Sequence, residues 1–260
     1  MDANKQRALV TGASSGFGAQ MARVLAQRGV NLVVAARRRE RLEALATELR
    51  QAHNIDVVVL TTDLSTTTGP RQLFDDVQAT GLKIDILINN AGLGRFGPFL
   101  GQSLAEIQEL IAVDVLAVTI LTRLFAQRMR EQGGGYILQV SSFAALQPIP
   151  RYSVYSGAKA YLIAMAQALV HELKHTGVSI SVVAPGFMST EFHEVSNHKW
   201  TLWMKIINLP IRYAARSAIR GMFRRKLLIT PGLFYLIVGF FLRFTPRRMA
   251  SAIAGAISKN

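Results

Sequence analysis

A chain of 260 residues, half of them hydrophobic, is long enough to bury a full core as a single α/β domain. It contains no cysteine, which excludes disulfides, thiolate metal sites and cysteine nucleophiles. The formal charge of +14 is uneven: residues 195–260 carry twelve Lys or Arg and no Asp or Glu, so +14 less the tail's +12 leaves the body at only +2.

The amino terminus runs through a few polar residues straight into an apolar run, with no room for a signal peptide, so a cytoplasmic location is expected. Ala8, Leu9 and Val10 lead into a glycine-rich turn, after which Met21, Val24 and Leu25 recur at helical spacing. This reads as strand, turn, helix. The turn comprises Gly12, Ser14, Ser15, Gly16, Phe17 and Gly18 in the spacing G-x-x-x-G-x-G, which differs from the better-known G-x-G-x-x-G. Glycines let the backbone approach a pyrophosphate, and the N–H groups and dipole of the helix start stabilise its charge.

The second apolar run, residues 31–36, ends in Arg37, Arg38 and Arg39, about twenty residues beyond the turn, where a ribose-reading group belongs. An acidic residue there would select NAD. The forked donors of Arg37 and Arg38 suit a 2′-phosphate and favour NADP(H), whereas Arg39 and Arg41 read as surface residues. Further apolar runs at 56–60, 84–88, 136–140 and 179–184 alternate with helical patterns. The fold class expected is therefore α/β, a doubly wound parallel sheet of Rossmann type with right-handed crossovers.

Tyr155 and Lys159 stand four residues apart, which puts both on one helix face, and Tyr155 follows Ser142 by 13 residues. A phenol with a pKa of about 10 is a poor acid at pH 7. Lowering it to about 7 takes roughly 4 kcal/mol, which one cation about 4 Å away supplies at an effective dielectric near 20. Lys159 is the candidate cation. A tyrosine tuned in this way gives a proton to a carbonyl oxygen, or takes one from an alcohol, while Ser142 hydrogen-bonds the same oxygen.

With these residues in place the chain resembles the classical short-chain dehydrogenase/reductase family over roughly residues 5–192. Thr11, Gly12, Gly16 and Gly18 look like the family's cofactor turn, and Asp63 with Leu64 matches the pair beside the adenine. Asn89, Asn90, Ala91 and Gly92 match the segment that supports the central sheet and borders the cofactor. Ser142, Tyr155 and Lys159 match the catalytic set, and Pro185, Gly186 and Thr190 match the segment beside the nicotinamide. The resemblance implies hydride transfer between nicotinamide and a substrate carbon, with Tyr155 as acid or base and Lys159 also holding the nicotinamide ribose. One departure stands out: Asp114 occupies the position where the family usually has asparagine, which helps hold a water in a proton relay to the lysine. Much of that role runs through the backbone carbonyl, which aspartate retains. An altered relay is expected, with Asp114→Asn leaving activity within about tenfold, roughly 1.4 kcal/mol.

Residues 193–260 read as a substrate lid and a basic, apolar tail. Trp200, Trp203, Met204, Ile206, Ile207 and Leu209 lie among its cations, just after Thr190, in a region that covers the substrate in the resembled family. An apolar cover implies an apolar substrate, such as a 3-oxoacyl thioester, a sterol-like ketone or a long-chain aldehyde; packing on the protein's own core is the alternative. Lys226–Thr230 reads as a last strand, ended by Pro231 and Gly232, and Leu233–Phe244 as a very apolar helix. Twelve helical residues cover about 18 Å against a hydrocarbon core of about 30 Å, too short to span. Three readings fit that surface: an interfacial helix with Phe234, Leu236, Ile237, Phe240 and Phe241 in lipid and Arg243, Arg247 and Arg248 near phosphates, a homo-oligomer contact, or intramolecular packing. The tail's charge suits an anionic membrane at its inner face or an acidic carrier protein, and no recognition motif points to nucleic acid. His53, His171, His175, His193 and His198 show no metal pattern, although His171 and His175 are four apart on an expected helix. The reading is an NADPH-dependent carbonyl reductase; its rival is a non-catalytic cofactor-binding scaffold that uses the basic tail.

Overall fold

In the computed structural model residues 6–189 and 207–257 are described. Seven parallel strands are β1 (Arg7–Thr11), β2 (Asn31–Ala36), β3 (Val57–Thr61), β4 (Ile86–Asn89), β5 (Gly135–Val140), β6 (Val178–Val183) and β7 (Leu228–Ile229), in the order β3-β2-β1-β4-β5-β6-β7. The strands stand within one or two residues of the expected runs, because pairing starts where neighbours come into register, as at Ala8 opposite Ile86. The last strand is shorter than expected, with only Leu228 and Ile229 pairing to β6.

Parallel strands are covered on both faces, so their side chains alternate between two cores instead of between core and water. Val10, Val34 and Ile88 face one core, where they meet Met21 and Leu25 of α1 (Gly16–Ala26), residues of α2 (Arg39–His53), and Ala215 and Ile219 of α7 (Ile211–Phe223). Leu9, Val33 and Leu87 face the other, formed with α3 (Gly69–Ala79), α5 (Val118–Glu131) and α6 (Ser153–Glu172). Between β4 and α5 lie α4 (Leu104–Ile111) and one π-helical segment, Ala112–Ala117.

The chain leaves β1 toward β2 on one side, while β4 lies on the other, so the carboxyl ends of β1 and β4 open the crevice where such sheets bind ligands. Two side chains fix the crevice. Thr11 Oγ1 donates to the Ile88 carbonyl at 3.2 Å and accepts from the N–H groups of Asn90 at 3.0 Å and Ala91 at 3.1 Å. Asn90 Nδ2 donates back to the carbonyls of Thr11 at 2.9 Å and Gly12 at 3.2 Å. Behind them a buried triad holds β4, β5 and α5 together: Asn89 Nδ2 donates to Thr122 and to Gln139, both at 3.1 Å, and Gln139 Nε2 donates to Thr122 at 2.7 Å.

Thr11→Val keeps the shape but leaves two N–H groups without their acceptor, at a cost of about 2–4 kcal/mol. A lowered urea midpoint with an unchanged far-UV circular dichroism spectrum is the expected outcome, and an unchanged midpoint would show that the clasp is dispensable.

Candidate active site

The glycine-rich turn follows β1 directly. Gly12 has φ +65° and Gly16 φ +55°, the left-handed region that favours glycine, and a Cβ on Gly12 would sit 2.8 Å from the Ala91 Cα. The turn delivers the chain to the amino end of α1, whose N-cap, Ser15, makes no side-chain capping bond. Its first-turn N–H groups are therefore left for an anion. Phe17 and Gly18 are buried in the helix's first turn, and a Cβ on Gly18 would meet Asn90 Nδ2 at 2.4 Å. The cradle fits a pyrophosphate.

At the end of β2 the two arginines diverge. Arg38 reaches back over the turn, its Nη2 donating to Ser15 Oγ at 2.6 Å and to Ser14 Oγ at 3.2 Å. Arg37 points the other way and pairs with Glu109 at 3.3 Å. The guanidinium placed at the phosphate turn is thus that of Arg38. Asp63 accepts from the N–H of Ser65 at 2.9 Å and from its hydroxyl at 2.7 Å. Burial works to raise the Asp63 pKa, but these bonds and the charge of Arg37 outweigh it and hold the carboxyl below its ordinary value. The neighbouring Leu64 is buried in the second core.

Ser142 lies two residues past the end of β5 and caps a short 3₁₀ turn, Phe143–Leu146, where its Oγ accepts from the Ala144 N–H at 3.1 Å. Tyr155 and Lys159 lie one turn apart on α6, both buried, and the Tyr155 phenol is hydrogen-bonded with Ser142. The structure thus brings together the three groups that the sequence spacing singled out. The electrostatics differ from expectation. The Lys159 ammonium is 5.7 Å from the centroid of the Tyr155 ring and is drawn aside, donating to the Val140 carbonyl at 3.1 Å and lying 3.7 Å from Asp114 Oδ1. The Tyr155 pKa is raised, not lowered: burial dominates, the Ser142 hydrogen bond opposes it, and the charges of Asp114 and Tyr152 add to it. In this state the phenol is held firmly protonated.

Asp114 sits on the π-helical segment with its side chain fully buried. Its Oδ1 accepts from the Leu93 N–H at 2.9 Å, while Oδ2 has no hydrogen-bond partner among the described residues. Burial pushes its pKa up to about 6, against the pull of the Lys159 charge and the Leu93 N–H. Gly92 makes the room: a Cβ there would lie 2.8 Å from Asp114 Oδ1 and 2.9 Å from Lys159 Nζ.

Pro185 and Gly186 follow β6, and the Pro185 carbonyl accepts from the Phe143 N–H at 2.8 Å, tying this segment to the Ser142 turn. Thr190 lies outside the described residues, as do Trp200, Trp203, Met204 and Ile206; Leu209 is buried and Ile207 half-buried. Sequence reasoning missed Tyr235, on α8 (Leu233–Leu242). Its ring lies against Gly186, where a Cβ would come within 1.9 Å of it, and stands 5.0 Å from the Phe143 ring. Its hydroxyl accepts from the Phe187 N–H at 2.9 Å and donates to the Ile207 carbonyl at 2.8 Å. As the one hydrogen-bonding side chain in the apolar run 233–242, it carried a signal. The pairing of His171 with His175 on one helix is corrected: α6 ends at Glu172, and His175 lies beyond it with φ 67°. Among the described residues no cluster of three or more His, Asp or Glu could hold a metal ion.

The sequence profile of the short chain dehydrogenase family matches residues 6–200. The ketoacyl reductase HetN of Nostoc sp. is 38% identical over 181 residues, which cover 70% of this chain and 63% of that protein. The 17-beta-hydroxysteroid dehydrogenase type 3 of Mus musculus is 35% identical over 201 residues, covering 75% of this chain and 64% of the relative. The chain thus spans less than two thirds of the length of these curated relatives. Among solved structures, a short-chain dehydrogenase from Sphingobium yanoikuyae in complex with NADPH superposes with a TM-score of 0.84 at 30% identity, over 98% of this chain and 96% of that one.

The folded-state pKa of Asp114 is above its ordinary value, so its contribution to stability is fully present below about pH 4 and is lost as pH rises through about 6. Relative to Asp114→Asn, the natural protein should therefore lose roughly 3 kcal/mol between about pH 4 and about pH 7. Urea unfolding of both proteins across that range checks the slope; parallel pH curves would show that the carboxyl titrates normally.

Proposed function

The chain belongs to the short-chain dehydrogenase family, oxidoreductases that use a nicotinamide cofactor on CH–OH and C=O groups, and on that premise we propose that it reduces the carbonyl of a hydrophobic substrate with NADPH. The observation that carries this reading is the Ser142–Tyr155 hydrogen bond beside the crevice, with the Lys159 ammonium one helical turn away. Ser142 and Tyr155 would both bind the carbonyl oxygen, and the protonated phenol would pass its proton to that oxygen as the carbonyl carbon is reduced. A reduced nicotinamide held in the crevice would supply the hydride, which with the Tyr155 proton would convert C=O into CH–OH. Lys159 would hold the nicotinamide ribose, with Asp114 as its counter-charge; Asn90, Ala91, Gly92, Pro185 and Gly186 would border the cofactor. Its phosphates would take the turn from Gly12 to Gly18.

The choice of NADPH rests on Arg38, whose forked donors converge on Ser14 and Ser15 where a 2′-phosphate would lie, whereas Arg37 is paired with Glu109. The NADPH complex of the Sphingobium neighbour supports this choice, although a Burkholderia phymatum neighbour, 25% identical, was solved with NAD. The relatives' names, a ketoacyl reductase, a very-long-chain 3-oxoacyl-CoA reductase and a hydroxysteroid dehydrogenase, support an apolar substrate with a 3-oxoacyl thioester as the first choice. A homo-oligomer of one-domain chains is the assembly this reading favours.

The test is oxidation of NADPH and NADH by purified protein across 3-oxoacyl thioesters, sterol-like ketones and long aldehydes. Tyr155→Phe should cut kcat by about a hundredfold or more, the scale of general acid catalysis. Tight NADPH binding without turnover of any of these substrates would overturn the reading. Arg38→Ala should raise the KM for NADPH by about tenfold while leaving that for NADH unchanged, the loss of one charge-assisted contact. An equal effect on both cofactors would remove Arg38 from the 2′-phosphate.

A further inference from the structure

Helix α8 is held from one side only. Tyr235 is its one buried residue, and Gly239 packs closely on Phe143 and Leu146, where an added Cβ would lie 3.5 Å and 3.3 Å from their side chains. Most of the rest faces out: Leu233, Phe234, Leu236, Ile237, Phe240 and Phe241 are exposed, Phe240 by 54% and Phe241 by 62%, while Val238 and Leu242 are half-buried. Phe244 continues the patch past the helix end, and Met249 and Ile253 extend it on α9 (Arg247–Ile257). A contiguous apolar face of this kind marks an interaction surface. Arg243, Arg247 and Arg248 are exposed at its end.

We propose that this face docks on an anionic lipid surface, with the α8 aromatics in the acyl boundary and Arg243, Arg247 and Arg248 among the headgroup phosphates. Three observations choose this occupant. First, residues 207–257 contain nine Lys or Arg and no Asp or Glu, so a second copy meeting the same face across a twofold axis would bring like charges together with no acid from this region to pair with them. Second, the outward face of α8 carries no hydrogen-bonding side chain, which suits hydrocarbon better than a soluble acidic protein. Third, α8 has 10 residues, and no helix among the described residues is long and apolar enough to cross a membrane, so the helix can lie in the interface but not span it.

A groove adjoins the docking surface. Leu236, Ile237 and Phe240 form one wall of a groove of about 590 Å³, and another wall includes Leu146, four residues past Ser142. Tyr235 joins α8 to the Phe187 N–H and the Ile207 carbonyl, at the two flanks of the segment 190–206. The groove thus lies between the lipid face and the 3₁₀ turn that follows Ser142.

The test is co-sedimentation of the full chain with sucrose-loaded vesicles of phosphatidylcholine, alone or mixed with phosphatidylglycerol. The protein should sediment with the mixed vesicles and be released by salt. Each cation near an anionic surface is worth about fivefold in partitioning, so the triple variant R243Q/R247Q/R248Q should bind roughly a hundredfold more weakly. Phe240→Glu with Phe241→Glu should abolish binding, with circular dichroism unchanged. Three results overturn the proposal: no sedimentation with either vesicle, equal sedimentation with neutral and anionic vesicles, or a natural protein that binds no vesicle and falls in solution mass in the glutamate variant, which assigns the face to a second copy. Sedimentation needs no substrate, so it fails or succeeds independently of the reductase reading.

Discussion

A lysine ammonium sealed inside a protein costs several kcal/mol unless its charge is met, and the candidate site is organised around meeting it. The Lys159 side chain is only 4% exposed. Its charge is answered by the Val140 carbonyl at the end of β5 and by Asp114 on the π-helical segment. Each answer constrains a different element. The extra residue of a π turn re-aims Asp114 inward, the Leu93 N–H holds its Oδ1, and Gly92 must lack a side chain for the two charges to meet at all. With asparagine at 114 the same place would hold a neutral amide. With aspartate the site contains a carboxyl whose protonation can change near neutral pH, directly behind the group that would hold the cofactor's ribose.

The same constraint explains the state of Tyr155. A lysine four residues along a helix can reach the preceding turn, but the ammonium goes where its charge is best satisfied, and two partners from other elements draw it away from the phenol. Asp114 then acts on Tyr155 as a like charge, reinforcing burial. The phenol is therefore loaded with its proton, the form a carbonyl reduction consumes. A bound cofactor brings its own charge and hydrogen bonds to this cluster, so the balance that lowers the phenol's pKa is set by the complete site, not by the lysine alone.

The fold was legible because parallel strands buried on both faces write continuous apolar runs, such as Asn31–Ala36, separated by helical patterns. Strand ends were less legible, since they depend on register with a neighbour. The proximity of Ser142, Tyr155 and Lys159 was legible for a similarly local reason, one helix turn between Tyr155 and Lys159 and a short turn after β5 that carries Ser142. What spacing could not give was direction. Arg37 and Arg38 are adjacent, and only the fold decides that Arg38 turns to Ser14 and Ser15 while Arg37 meets Glu109, 72 residues away. Tyr235 was hidden by its surroundings: a run of Leu, Ile and Phe reads as one apolar block, and the partners of its hydroxyl are backbone groups 48 and 28 residues distant.

Those long-range bonds join the two halves of the molecule's chemistry. In the body, cations find acids nearby, as Arg23 does at Glu48 and Arg71 at Asp75, and such exposed pairs add little to stability. Residues 207–257 have cations without acids, so their charge cannot be spent on internal pairing within that region. It repels itself, a cost that an anionic partner of the kind proposed would relieve. Tyr235 would give that partner a mechanical route inward, because a reorientation of α8 would act on a ring packed against Gly186 and on a hydroxyl that holds Phe187 and Ile207 together. The segment beside the proposed nicotinamide position is thus braced by the same helix whose outer face is left bare.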